Sequence, residues 1–209
     1  MLIVALTGGI ATGKSVVAEV WSDLGCFIQH ADLVAKELID VEKPAWSHLV
    51  DRYGEKILQP DRNIDRRELA RIIFSNDTER EYVNNLIHPL VHEEKQRTIK
   101  KLEGEGQYKI FISEAALTFE AGYPEFFDRI VVVHCKNDIQ IARLMARDNI
   151  GQDKALLKIR SQMPQSVKIE KADYTIDTSD SIRKTIEQAE QTYRYLLWDA
   201  DNKEMNNSI

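Results

Sequence analysis

Residues 2–15, "LIVALTGGIATGKS", restrict the fold more than any other stretch of the chain. A short apolar run bounded by glycine predicts a buried strand over 2–7. The following "KSVVAEVWSDLG" places Val16, Val17, Val20, Trp21 and Leu24 on one helical face, with Gly25 as its stop. Between the two, Gly8, Gly13, Lys14 and Ser15 match G-x-x-x-x-G-K-[ST] in the strand-then-helix context that gives this spacing its meaning. Glycines let the backbone turn with its N–H groups inward, and the next helix presents its positive end, so a polyphosphate is held mainly by main-chain donors. Lys14 adds a mobile charge for the β and γ phosphates, and the Ser15 hydroxyl is a ligand for Mg²⁺. A plain strand-to-helix turn is the competing reading, and the complete spacing in its proper context disfavours it. The loop residues Gly8, Gly9, Ala11, Thr12, Gly13, Lys14, Ser15 and Val16 are therefore read as a nucleoside triphosphate site.

Further strand-like runs lie at 26–29, 108–113, 129–135 and 172–178, and a long helix is expected over 181–198, capped by Ser179 or Asp180. Alternation of strands and helices predicts an α/β chain with a five-stranded parallel sheet flanked by helices. The core comprises 1–30, 105–136 and 172–209. The interval 31–104 carries helical patterns and no convincing strand, and it reads as an inserted helical subdomain in which Pro89 should break or begin a helix. Residues 137–171 are also helical and locally basic. Counted from Lys136 to Lys171, eight Lys and Arg face four Asp and Glu, a lid-like charge balance in a chain of net charge −6. The terminal "NKEMNNSI" is expected to be disordered.

That net charge argues against a general nucleic-acid partner, which needs clustered cations. No run approaches the length of a membrane span, and no signal peptide is recognisable, so a cytoplasmic protein is expected, as a monomer or small homo-oligomer. Cys26 and Cys135 each sit in or beside an apolar run and read as buried thiols acting as small hydrophobes. The five histidines show no metal-ligand spacing.

A guanine-nucleotide switch would carry N/T-K-x-D after a late strand, and here Lys136, Asn137 and Asp138 stand in another order. "DNIG" at 148–151 falls in the basic helical interval and is read as coincidence. A kinase fits better, because transfer to a small acceptor needs a second pocket and a means of excluding water. Together, "ALTGGIATGKS", "AD" at 31–32, "IDRRELARIIF" at 64–74, "LIHPLV" at 86–91, "ALTFEAG" at 116–122, "QIARLMARD" at 140–148, "RSQMP" at 160–164 and "ADYTID" at 172–177 resemble dephospho-CoA kinase, in that family's order and over most of the chain. The resemblance implies a P-loop kinase fold with a helical acceptor-binding insertion and a helical lid. It implies ATP and Mg²⁺ as cofactors, dephospho-CoA as substrate, and phosphorylation of the ribose 3′-hydroxyl. Another small-molecule kinase, for a nucleoside or nucleotide, and a non-enzymatic nucleotide-dependent switch remain the alternatives.

By the same resemblance Asp32 faces the acceptor hydroxyl as a base, against a reading as a helix N-cap, and one carboxylate can serve as both. Arg143 and Arg147, four residues apart, share a helix face suited to one phosphate chain and join Lys14 as catalytic cations, with surface ion pairing as the alternative. His88 is read as structural or pocket-lining, Arg66 as reaching a coenzyme phosphate, and Asp65 and Phe74 as fixing the insertion. Glu120 either contacts substrate or closes a turn, and Gln162 lines the adenine side. Departures from the family pattern are Ala11, Thr12, Val16, His30, Ala116, Thr118 and Thr178, the last where an asparagine would contact adenine. They spare Lys14, Ser15, Asp32, Arg143 and Arg147, so an active enzyme is expected.

Overall fold

A computed structural model describes residues 1–207, leaving the side chains of Phe74 and Asn207 outside that description. The role expected of the Phe74 side chain therefore lies outside the described residues. The chain forms two compact units, one of 1–29 and 102–209 and the other of 30–101.

The first unit is built on strands β1 (Leu2–Thr7), β2 (Phe27–His30), β3 (Ile110–Glu114), β4 (Arg129–His134) and β5 (Tyr174–Asp177), in the order β2-β3-β1-β4-β5. β1 lies parallel to both β3 and β4, with Val4 opposite Ile112 and Arg129, and β4 lies parallel to β5. Successive side chains on a strand point to opposite faces, so strands covered on both sides read as continuous apolar runs. One face carries Val4, Leu6, Ile112, Val131, Val133 and Ile176 against α1 (Lys14–Asp23) and α9 (Ile182–Asn207). The other carries Ala5, Ile130 and Val132 against Phe119, Phe127 and Ile169. Trp21 of α1 is fully buried and donates its indole N–H to the Ala189 carbonyl of α9 at 2.9 Å, which joins the two helices that cover the first face. Residues 137–171 fold into α6 (Asn137–Asp148), α7 (Gln152–Arg160) and α8 (Gln165–Glu170), within the same unit as the sheet. "DNIG" is a helix junction here: Asn149 ends α6 in the left-handed region and Gly151 begins α7.

The second unit has a core of its own, centred on Ala45, Leu49, Ile57, Ile64, Leu69 and Val83. It contains α2 (Ala31–Glu37), α3 (Pro44–Tyr53), α4 (Arg66–Ser75) and most of α5 (Asp77–Glu105). Asp65 caps α4, its carboxylate accepting from the N–H groups of Arg67 and Glu68 at 2.9 and 3.1 Å. Arg52 of α3 chelates Glu79 of α5 at 2.7 and 2.9 Å while Tyr53 donates to the same carboxylate, and these bonds, that of Arg52 foremost, hold the Glu79 carboxyl down at about 2.

Three expectations are corrected. Pro89 neither breaks nor begins a helix: α5 runs through it, although proline offers no N–H to the Asn85 carbonyl and its ring crowds that group. Val83, Leu86, Ile87 and Leu90 pack around that position and Ile99 and Leu102 are buried further along, so tertiary packing outweighs the missing bond. The expected disordered tail is helical through Asn207, residues 208–209 lying outside the described part. The first turn of α9 is closed by Ser181, whose Oγ accepts from Lys184 N–H at 3.3 Å, while Ser179 accepts from Lys136 N–H and Asp180 from Ser181 N–H.

Both cysteines are buried as expected, and burial pushes the Cys26 thiol up to about 12 and raises that of Cys135. Because the thiolate is the reactive form, neither should label with iodoacetamide at pH 8 in the folded protein, and both should label in denaturant. Labelling of the native chain would contradict this packing.

Candidate active site

The loop between β1 and α1 turns through a sequence of conformations that few side chains permit. Gly8 has φ +147°, and a Cβ there would lie 2.1 Å from the Val133 carbonyl oxygen, a backbone atom that cannot step aside. Gly13, at φ +92°, is the left-handed residue that turns the chain into α1. Ala11 also adopts the left-handed region, φ 61°, at a cost of about 1 kcal/mol that glycine would avoid.

Inside the turn, carbonyls and N–H groups separate. The buried Lys14 ammonium donates to the Gly8 and Gly9 carbonyls, both at 3.1 Å, and Thr12 Oγ1 donates to Gly9 O at 2.9 Å. The N–H groups of Ala11, Gly13 and Ser15 have no protein acceptor among the described residues. N–H groups without an intrahelical acceptor at the start of a helix form a site for an anion. The Ser15 hydroxyl is exposed and has no partner among the described residues.

Side chains from distant parts of the first unit hold this loop. Thr178, just after β5, donates from Oγ1 to the Thr12 carbonyl at 2.7 Å. Arg143 of α6 donates to Thr178 Oγ1 and to the Thr178 carbonyl at 2.9 and 2.8 Å. Thr178 thus supplies a buried hydroxyl that links the loop, β5 and Arg143. Gln140, one helical turn before Arg143, donates to the Ile10 carbonyl, and Gln162 accepts from the Ile10 N–H, each at 2.8 Å. A cavity of about 590 Å³ adjoins Gly9, with Gln140, Leu156, Ile159, Gln162 and Met163 in its wall. Thr178, Gln140 and Gln165 were given no role by sequence reasoning. The usable signal for Gln140 is its spacing of three from Arg143, which puts both on one helix face.

The other candidates are placed as follows. Arg147 is largely exposed and pairs with Asp148 at 2.9 Å; Asp148 also pairs with Lys158 at 2.6 Å, and these bonds, that to Arg147 first, hold its carboxyl at about 2. Glu120 accepts from Met163 N–H at 2.8 Å and pairs with the fully buried Lys168, which also donates to the Ala116 carbonyl at 2.7 Å. In the second unit, Asp32 is exposed in the first turn of α2; the cap position belongs to His30, so the N-cap reading of Asp32 is overturned. Arg66 pairs with Asp40 at 2.8 Å and borders an open polar cavity of about 690 Å³. His88 is half-buried on α5, next to Pro89. Among the described residues no helix is long and apolar enough to cross a membrane.

Gly8→Ala is expected to abolish nucleotide binding in calorimetry and to lower the unfolding temperature, since neither the Val133 backbone nor the loop torsion can yield. Wild-type affinity in that variant would show that the turn is not the binding element.

The family model for dephospho-CoA kinase matches residues 2–184. Dephospho-CoA kinase of Carboxydothermus hydrogenoformans is 40% identical over 186 residues, 89% of this chain and 90% of that protein. The solved dephospho-CoA kinase from Campylobacter jejuni superposes with a TM-score of 0.68 at 25% identity, covering 92% of this chain and 95% of its own. The structure of TT1252 from Thermus thermophilus shares the fold, with a TM-score of 0.78 at 24% identity over 93% of this chain and 96% of its own. A matched model spanning most of the sequence, a relative this similar over nearly its whole length and a phosphate-type loop at the expected strand end agree: the chain belongs to the dephospho-CoA kinase family.

Proposed function

We propose that this chain transfers the γ-phosphoryl group of ATP to the ribose 3′-hydroxyl of dephospho-CoA, releasing CoA and ADP, in the cytoplasm. The observation that carries the proposal is the set of unpaired N–H groups at Ala11, Gly13 and Ser15 beside the Lys14 ammonium, a cradle of fixed donors for a polyphosphate. Donors fixed before the reaction stabilise charge without reorganising as it develops. Lys14, released from the Gly8 and Gly9 carbonyls, follows that charge onto the β and γ phosphates.

In the proposed reaction the acceptor oxygen attacks the γ-phosphorus, the bond from that phosphorus to the β-γ bridging oxygen breaks, and ADP departs with the electron pair. Asp32, exposed and with no hydrogen-bond or ion-pair partner for its carboxylate among the described residues, takes the hydroxyl proton. Arg143 lies against the loop base through Thr178, and Arg147, tethered only by a surface ion pair worth little, is free to reorient. We assign residues 137–171 as the lid, with Arg143 already standing at the loop base and Arg147 brought over the phosphates, and Arg66, His88 and Glu120 to acceptor binding, Glu120 through the strut it makes with Lys168.

The residues fit a shared cation site. Ser15 offers one exposed hydroxyl oxygen, and no group of three or more His, Cys, Asp or Glu able to hold a metal occurs among the described residues. Mg²⁺ would take Ser15 as its protein ligand and complete its shell with phosphate and water oxygens. When bound it neutralises phosphate charge.

Purified protein should convert dephospho-CoA to CoA with ATP and Mg²⁺; turnover of nucleosides or nucleotides with dephospho-CoA left untouched would contradict the assignment. Asp32→Asn should lower kcat by about 10² with the ATP dissociation constant little changed. Near-normal turnover in that variant would remove Asp32 from the chemistry.

A further inference from the structure

Two consecutive peptide groups at the front of the loop are held in an unusual way. The Gly9–Ile10 peptide is gripped at both ends: its carbonyl accepts from Lys14 and Thr12, and its N–H donates to Gln162 Oε1 at 2.8 Å. The next peptide, Ile10–Ala11, is gripped at its carbonyl alone, by Gln140 Nε2 at 2.8 Å. A trans peptide points its N–H opposite to its C=O, and the chain has no cis bonds among the described residues. Fixing the Ile10 carbonyl on Gln140 therefore aims the Ala11 N–H away from α6.

The two amides are themselves oriented. Gln165 donates from Nε2 to Gln140 Oε1 at 2.8 Å, which leaves the Nε2 end of Gln140 to face Ile10, and Gln165 Oε1 accepts from Cys135 N–H at the end of β4 at 3.1 Å. Gln140 is 1% exposed, so its amide has little freedom. Gln162 stands on the connector between α7 and α8, whose next residue, Met163, is tied to Glu120 and through it to the buried Lys168. Gly9 leaves the room this requires: a Cβ there would come within 2.7 Å of Gln140 Nε2.

We propose that Gln140, Gln162 and Gln165 are positioning residues for phosphoryl transfer, an amide clamp on the Ile10 peptide that aims the Ala11 N–H at the phosphate chain. The clamp rests on the reading of the loop as the nucleotide site. It acts through the loop backbone, and none of the three side chains needs to touch the nucleotide.

The test uses the full ¹⁵N-labelled chain, titrated with the non-hydrolysable analogue AMP-PNP and Mg²⁺, as wild type, Q140M, Q162M and Q140M/Q165M. Methionine keeps the length and removes the hydrogen bonds. Q140M and Q162M should each weaken AMP-PNP about three- to tenfold, the equivalent of one ordinary hydrogen bond, and shrink the shift of the Ala11 amide resonance on binding. The double variant should bind as Q140M does, because Gln165 acts through Gln140. Gln162 is only half-buried, so Q162M decides the matter if Q140M does not fold. Wild-type affinity and an unchanged Ala11 response in the folded variants would overturn the clamp, as would weakened binding that follows a lowered melting temperature with the Ala11 response intact. If wild type binds no AMP-PNP, the loop reading fails; if wild type binds and the variants bind equally, only the clamp fails.

Discussion

The contact between Gly8 and the Val133 carbonyl is the constraint from which the rest of the site follows. Only a residue without a Cβ lets the chain leave β1 so close to the end of β4, and that approach decides where the loop begins its turn. Once it has begun there, Gly13 can enter α1 in the left-handed region and the donors at Ala11, Gly13 and Ser15 are left without protein partners. Ala11 and Gly13 are partly exposed and Ser15 is exposed, so these donors are open to a ligand from outside the turn. Open main-chain donors at a helix start suit an anion.

A chain of net charge −6 must meet a polyphosphate with local positive groups. Lys14 is stored against loop carbonyls in the buried turn, so its charge is partly solvated by the protein before a ligand arrives. Arg143 is held at the loop base by a buried threonine, whereas Arg147 is in an exposed ion pair with Asp148. One arginine is thus held in place from within and the other tied only at the surface, although the two lie four residues apart on the same helix. Arg143, already in place, can meet developing charge without reorganising, whereas Arg147 would first have to leave its ion pair.

What the sequence made legible follows from how local each signal is. β1 and β4 are readable because both their faces are buried, which turns them into unbroken apolar runs. The loop is readable because every residue it needs lies within eight positions. Helix α5 was misread at Pro89 because one missing hydrogen bond is a local cost, while the packing that offsets it comes from residues elsewhere in the unit. Asp32 was read as base or N-cap, and its distinction from a cap depended on a two-residue shift of helix boundary that propensity does not resolve. Gln140 and Gln162 reach Ile10 across 130 and 152 residues of chain, so no spacing rule could have joined them. Thr178 looked like a lost asparagine, and its hydroxyl instead makes the bond that ties β5 to the loop.

Main-chain donors that wait unpaired for a phosphate chain are the central claim, and a crystal structure with AMP-PNP and Mg²⁺ tests it most directly. The account predicts phosphate oxygens within hydrogen-bond distance of the N–H groups of Ala11, Gly13 and Ser15, with the Lys14 ammonium moved off the Gly8 and Gly9 carbonyls. Nucleotide bound away from this turn, or Lys14 still on those carbonyls beside a seated triphosphate, would contradict it.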